Sequence, residues 1–252
     1  MKILLHLSFL GTSYCGYQIQ PNGVTVQQKL NEATRGLFGY DCDVVGCSRT
    51  DSGVHANHFC VAVSKRGEPS LVTTIPMDRI PLAMAPYLPE DISVLRAEAV
   101  EDPFHPRYDV KYKEYVYRIW DHPERNPFVC HRSWHYPKPI SEEAVTRMNE
   151  AAARLCGTWD FASYMAADSK ITDSVRTIYE AEVYRRDGLV EFRVCANGFL
   201  YHMVRILMGT LIAVAEDKIK PEEIQEITMA CDRRRAGITA PAEGLYLNRV
   251  VY

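Results

Sequence analysis

Between Lys2 and Phe9 apolar side chains return at every second position (Ile3, Leu5, Leu7, Phe9), the period of a β-strand with one face turned inward. The period then changes. Val26, Leu30, Ala33 and Leu37 line one stripe of a helix, and Thr25 with Gln28 supplies a capping box at its start. Shorter apolar runs at 44–47 and 58–63 read as strands on either side of a polar loop, 48–57. Residues 64–103 are rich in proline, show no clear period, and read as connections and short elements. Tyr112–Trp120 alternates again as a strand. Ser141 caps a second helix whose inner face is Val145, Met148, Ala152 and Leu155. Val175, Thr177, Tyr179, Ala181 and Val183 alternate up to Asp187-Gly188, and Val190, Phe192 and Val194 resume beyond it, which predicts a β-hairpin with a type I′ turn. Helices are predicted over 198–215 and, opening on Pro221, over 221–231; a last strand covers 246–251.

This order predicts an α+β chain with mainly antiparallel strands. At 252 residues it suits one large domain or two smaller ones, and we divide it into 1–103 and 104–252, each with a strand ahead of its helix. No internal sequence repeat accompanies that similarity. The hydrophobic share, 47%, and the charged share, 24%, are those of an ordinary soluble protein. The most apolar stretch, 199–215, carries His202 and Arg205, so no membrane span is expected. The first residues resemble a secretion signal only weakly, being broken by His6 and Ser8, and the chain reads as cytoplasmic. None of the eight cysteines forms a Cys-x-x-Cys pair or a Cys/His set with zinc spacing, so they read as reduced core residues and no metal is expected. A net charge of −3 argues mildly against nonspecific nucleic-acid binding. Local basic clusters (Lys111 and Lys113, Arg185 and Arg186, Arg233 to Arg235) keep a basic RNA-binding face open.

The stretch with the densest chemistry is Gly46-Cys47-Ser48-Arg49-Thr50-Asp51-Ser52-Gly53-Val54-His55-Ala56. It sets an arginine, an aspartate and a histidine in a loop between two apolar strands, a common place for catalytic groups. A cation two residues away favours the carboxylate form of Asp51, which can then act as nucleophile or base. Two other readings stand beside this one. Asp-Ser-Gly is also an ordinary turn sequence. It occurs as well in aspartic proteases, but those need two carboxylates sharing a proton; this chain has one copy, and Arg49 would oppose the raised pKa of one partner.

The loop resembles the motif of the TruA family of tRNA pseudouridine synthases, with Arg49, Thr50, Asp51, Gly53, Val54, His55 and Ala56 matching, and Ser48 and Ser52 departing from it. The resemblance spans nearly the whole chain. Gly11 to Gln20 is similar to the family's N-terminal segment, with Phe9-Leu10 in place of Tyr-Asp and Tyr17 in place of tryptophan. Further matches are Phe104-His105-Pro106-Arg107-Tyr108, Lys113-Glu114-Tyr115-Val116-Tyr117, Asp160-Phe161-Ala162-Ser163, Phe199 to Arg205, and Ala242 to Leu247.

The resemblance implies the pseudouridine synthase fold: two α/β subdomains sharing a mainly antiparallel sheet with a central cleft. It implies isomerisation of a uridine in the anticodon stem-loop of tRNA, without cofactor or metal, by a homodimer. Asp51 would be catalytic, attacking the ribose or the uracil ring. Tyr115 would stack on the extruded base. Arg49, His55, Phe104, His105 and Arg205 would contact substrate. Arg205 adds an argument of its own. It sits among Met203, Ile206, Leu207 and Leu211, where a guanidinium is costly unless paired. Asp51 is its natural partner; the rival is a side chain that snorkels to solvent. A non-catalytic RNA-binding protein on the same scaffold is the competing reading.

Overall fold

The computed structural model describes residues 1–169 and 171–252. Its residues group into two units, Met1–Lys111 with Leu247–Tyr252, and Tyr112–Tyr246. No helix among the described residues is long and apolar enough to cross a membrane.

The first unit contains β1 (Lys2–Phe9), α1 (Val26–Phe38), β2 (Cys42–Gly46), β3 (His55–Lys65), the short α2 (Ile80–Met84) and β4 (Ile92–Val100). β1 runs antiparallel to β4 on one side and to β3 on the other. The far edge of β3 is shared between two strands. β2 pairs with its end, from Cys42 opposite Lys65 to Gly46 opposite Val61. A strand from the end of the sequence, β10 (Leu245–Val251), lies beside its beginning, where Asn248 and Val250 meet Asn57 and His58. Ile3, Leu5 and Leu7 of β1 and Phe59, Val61 and Val63 of β3 are at most 1% exposed. Leu4 and His6 are enclosed too, so β1 is buried on both faces rather than one. Thr25 caps α1 by accepting the Gln28 N–H at 3.2 Å, but only half of the predicted capping box forms, because the Gln28 amide turns to Glu32.

β4 falls inside the segment read from sequence as connections. Its alternation is broken in the middle: His6 pairs with Arg96 but Leu7 with Val94, so Leu95 is an extra residue that resets the phase.

The second unit contains β5 (Tyr112–Trp120), β6 (Trp134–His135), α3 (Glu142–Ala153), β7 (Gly157–Asp160), β8 (Val175–Arg186), β9 (Leu189–Ala196), α4 (Met203–Ala215) and α5 (Glu223–Met229). The strand order is β5-β9-β8-β7, all antiparallel, with β6 parallel to β5. The β8–β9 turn has φ of 50° at Asp187 and 77° at Gly188, the two positive values a type I′ turn needs. α4 starts five residues later than the apolar pattern suggests. His202, at φ 60°, stands in the left-handed region before the helix, and Tyr201 and His202 form a separate turn closed by the Met203 N–H on the Leu200 carbonyl at 3.1 Å. One face of this sheet (Tyr117, Ile119, Val190, Phe192, Val194) is closed off from solvent. The other carries an ionic ladder: Arg193 reaches Glu182 at 2.7 Å and Glu114 and Glu180 at 3.0 Å, and Arg118 reaches Glu191 at 2.9 Å. Just past β5, Asp121 is 7% exposed; it accepts both terminal nitrogens of Arg185, at 2.8 and 3.0 Å, and the Ile140 N–H at 2.9 Å.

Candidate active site

The loop joining β2 to β3 begins where the β2 ladder stops. Cys47 keeps one last bond, its N–H to the Cys60 carbonyl at 2.8 Å, and the chain then leaves the sheet until His55. What holds the excursion is a second segment, residues 11–17, lying along it. The Tyr17 N–H donates to the Thr50 carbonyl at 3.2 Å, and the Gly53 N–H and Ser52 Oγ both donate to the Tyr14 carbonyl, at 3.4 and 3.2 Å. Within the loop the Val54 N–H closes on the Asp51 carbonyl at 3.2 Å, a turn that Gly53 completes at φ 81°. These bonds, most of them between main-chain groups, fix the position of Asp51, which is half-buried.

Two glycines make this contact possible. A Cβ on Gly11 would stand 2.0 Å from the Val54 carbonyl oxygen, and one on Gly16 would stand 2.5 Å from that of Thr50. Both obstacles are backbone and cannot swing aside. Gly11→Ala is therefore expected to destabilise the protein by about 1–3 kcal/mol and to lower kcat, because relief of the overlap moves the segment bearing Asp51. Urea unfolding and single-turnover rates check this; unchanged values for both would show that the two segments separate freely.

The His55 ring is fully enclosed, and its Nδ1 accepts the Gly11 N–H at 2.9 Å. In this structure it ties the segment at 11–17 to the first residue of β3. Arg49 is exposed and forms no ion pair among the described residues. Phe104 packs edge-on against Tyr252 with ring centroids 4.9 Å apart, and His105 stacks on Tyr108 at 4.3 Å. His105 also lines a pocket with Lys2, Gln27, Asn31 and Arg66, whose walls do not include Asp51.

In the second unit Tyr115 lies on the inward face of β5, 6% exposed, and its ring meets the edge of Phe199 at 4.8 Å and 78°. Arg205, in the first turn of α4, is half-buried. Its Nε donates to the Ala240 carbonyl at 2.7 Å, and the Ala240 N–H returns to the Arg205 carbonyl at 3.1 Å. This partner, a carbonyl thirty-five residues away, was not visible in the sequence. The charged group lies close enough to Tyr117 to act on its phenol, which burial nevertheless raises well above the ordinary tyrosine range.

A family model described as tRNA pseudouridine synthase matches residues 151–252. The chain is similar over its full length to proteins named tRNA pseudouridine synthase A: 40% identical to that of Thermoanaerobacter sp. (strain X514), 41% to that of Bacillus pumilus and 39% to that of Clostridium acetobutylicum, covering 99% of each. Among solved structures it is similar to a Cbf5-Nop10-Gar1 complex at TM-score 0.37 and 12% identity, over 97% of this chain and 48% of that one, a distance at which likeness does not bear on function. Full-length identity of this order places the chain in the tRNA pseudouridine synthase A family, isomerases that turn uridine into pseudouridine.

Proposed function

We propose that this protein converts a uridine in the anticodon stem-loop of tRNA into pseudouridine, with Asp51 as the nucleophile. The observation that carries the reading is the anchoring of Asp51: a half-buried carboxylate at a turn fixed by main-chain bonds to a second segment. A binding protein gains nothing from a rigidly held carboxylate facing a polyanion. The reaction breaks the N-glycosidic bond, turns the uracil and joins its C5 to the ribose; the hydrogen on C5 leaves as a proton. Nothing is oxidised or reduced, so the chemistry needs a placed nucleophile and an extruded base.

The other residues take supporting roles in this proposal. Tyr115 and Phe199 form the aromatic wall against which the uracil rests. Arg205, half-buried in the first turn of α4, contributes a permanent cation to RNA binding. The exposed Arg49 binds phosphate, and Phe104 and His105 touch the RNA away from the reacting base. His55 acts on substrate only through the loop it braces. The active form is proposed to be a cytoplasmic homodimer, to be checked by sedimentation of the purified protein and by fractionation of cells.

The test is release of tritium from tRNA transcripts labelled at uracil C5. Release from transcripts with an intact anticodon stem-loop uridine, and none when those uridines are replaced by cytidine, is the expected result. Release confined to other positions would overturn the assignment of substrate site. No release by folded protein that binds tRNA would favour the non-catalytic reading. For Tyr115, replacement by Leu is expected to lower kcat/KM by about 10–100-fold, the worth of one lost base stack, whereas Tyr115→Phe keeps most of it. Equal losses in both variants would mean that the hydroxyl, not the ring face, is what matters.

A further inference from the structure

Away from the loop, three side chains with metal-binding atoms converge. On one face of the first unit's sheet His6 lies opposite Cys60, and His58 is two residues before Cys60 on the same strand, so all three project to one side. His6 Nδ1 and His58 Nε2 are 2.7 Å apart, and the Cys60 Sγ is 3.5 Å from each. His6 and Cys60 are buried, while His58 is half-buried and gives the cluster its opening to solvent.

The hydrogen bonds around the cluster have a direction. The Val250 N–H donates to His58 Nδ1 at 3.2 Å, so the proton of a neutral His58 sits on Nε2 and points at His6 Nδ1. His6 then carries its own proton on Nε2, facing the Glu98 carboxylate at 2.9 Å. A carboxylate behind the imidazole that turns the other nitrogen's lone pair inward is the arrangement that supports histidine ligands in metal sites. The Tyr252 hydroxyl donates to the Pro106 carbonyl at 2.9 Å, and burial holds Cys60 as the thiol in the absence of metal. Arg96, 3.0 Å from His6 Nε2, is the opposing positive group, and Glu98 offsets it at 3.3 Å.

We infer that His6 Nδ1, His58 Nε2 and Cys60 Sγ form a binding site for a borderline-soft divalent cation, Zn²⁺, that clamps β1 to β3. With Zn–N near 2.0 Å and Zn–S near 2.3 Å, a tetrahedral centre separates its nitrogen from its sulfur ligands by about 3.5 Å and its two nitrogens by about 3.3 Å. The sulfur distances already match. The two nitrogens have to part by about 0.6 Å on that geometry, a movement open to the half-buried His58. Binding takes the place of the proton between the rings. His58 moves that proton from Nε2 to Nδ1 and gives up the Val250 bond, and the Cys60 thiol, kept protonated by burial, releases one proton. One hydrogen bond is a small loss against three coordinate bonds. The fourth position faces the opening and takes water.

The sequence concealed this site because its ligands have no zinc-finger spacing; strand parity joins His58 to Cys60, and the β1–β3 register brings in His6. The test uses untagged full-length protein, stripped with chelator and titrated with Co²⁺. One Co²⁺ per chain is expected, with thiolate-to-metal charge-transfer absorption, displacement by Zn²⁺, and release of one proton per Zn²⁺ in calorimetry across buffers. His58→Gln should weaken binding about 10–100-fold, Cys60→Ser should abolish the charge-transfer band, and Cys130→Ser, altering an exposed thiol, should leave it intact. His58→Gln carries the test if Cys60→Ser fails to fold. Absence of the band in the folded wild-type protein, or a band indifferent to His58→Gln, would overturn the site and leave a hydrogen-bonded histidine pair.

Discussion

Asp51→Asn is expected to lower tritium release from C5-labelled tRNA by on the order of 10⁴-fold or more, the scale of losing a nucleophile, while tRNA affinity stays within a few-fold. The substitution exchanges one carboxylate oxygen for an amide nitrogen and leaves the shape alone. The loop should survive it, because it is held by main-chain bonds of Tyr17 to Thr50, Gly53 to Tyr14 and Val54 to Asp51, and by the Ser52 hydroxyl on Tyr14. Loss of activity therefore reports chemistry rather than folding. Thermal unfolding of the variant near the wild-type temperature completes the argument. If Asp51→Asn kept a tenth or more of the wild-type single-turnover rate, the nucleophile would have to be sought elsewhere. If it lost tRNA binding in parallel, the carboxylate would belong to recognition.

The second large effect concerns stability. Asp121→Ala removes the acceptor of two guanidinium bonds and of the Ile140 N–H. It leaves Arg185, about a quarter exposed, with Glu142 and the Ile140 carbonyl as its remaining partners. Breaking one side of a buried pair costs about 3–5 kcal/mol. Arg185 keeps a partner and some water, so the expected loss is at the lower end, about 3 kcal/mol, read as a fall in the urea midpoint at unchanged slope. The stronger check is the pair Asp121→Leu with Arg185→Met. If the cost arises from a stranded charge rather than from the pair's own attraction, the double variant recovers most of the loss. A double variant no better than Asp121→Ala would place the cost in the Ile140 N–H and the chain around it.

Both experiments rest on features that differ in how far they could be read in advance. The β8–β9 hairpin was plain, because Asp187-Gly188 is a local signal and both residues take the backbone angles the turn demands. The Asp51 loop was singled out by its motif, as was Tyr115, and Arg205 by its motif together with its apolar surroundings. What the motif could not supply is how the loop is held. Most of the donors and acceptors that pin it are peptide groups, which every residue has, with the Ser52 hydroxyl and the His55 ring beside them, and the two glycines, 11 and 16, mark the close approach. β4 escaped notice for a physical reason, since the extra residue at Leu95 shifts the inward-facing positions by one and erases the period that betrays a strand. The early start assigned to α4 failed similarly: Phe199 to His202 continue the apolar pattern, but a left-handed His202 is a backbone choice that hydrophobicity does not record. His6, His58 and Cys60 are joined by strand register, which alternation reveals within a strand and never between two.

The shared edge of β3 has a consequence for how the protein is made. β10 begins with the last two residues of the second unit, yet most of it belongs to the first, beside β3. Residues 112–246 are contiguous and can fold while attached to the ribosome. The unit bearing Asp51 must wait with one flank of β3 open, and an unpaired strand edge is a template for wrong partners. During synthesis, then, the unit bearing Asp51 is the vulnerable one, and its completion falls to a strand of seven residues that emerges after the rest of the second unit.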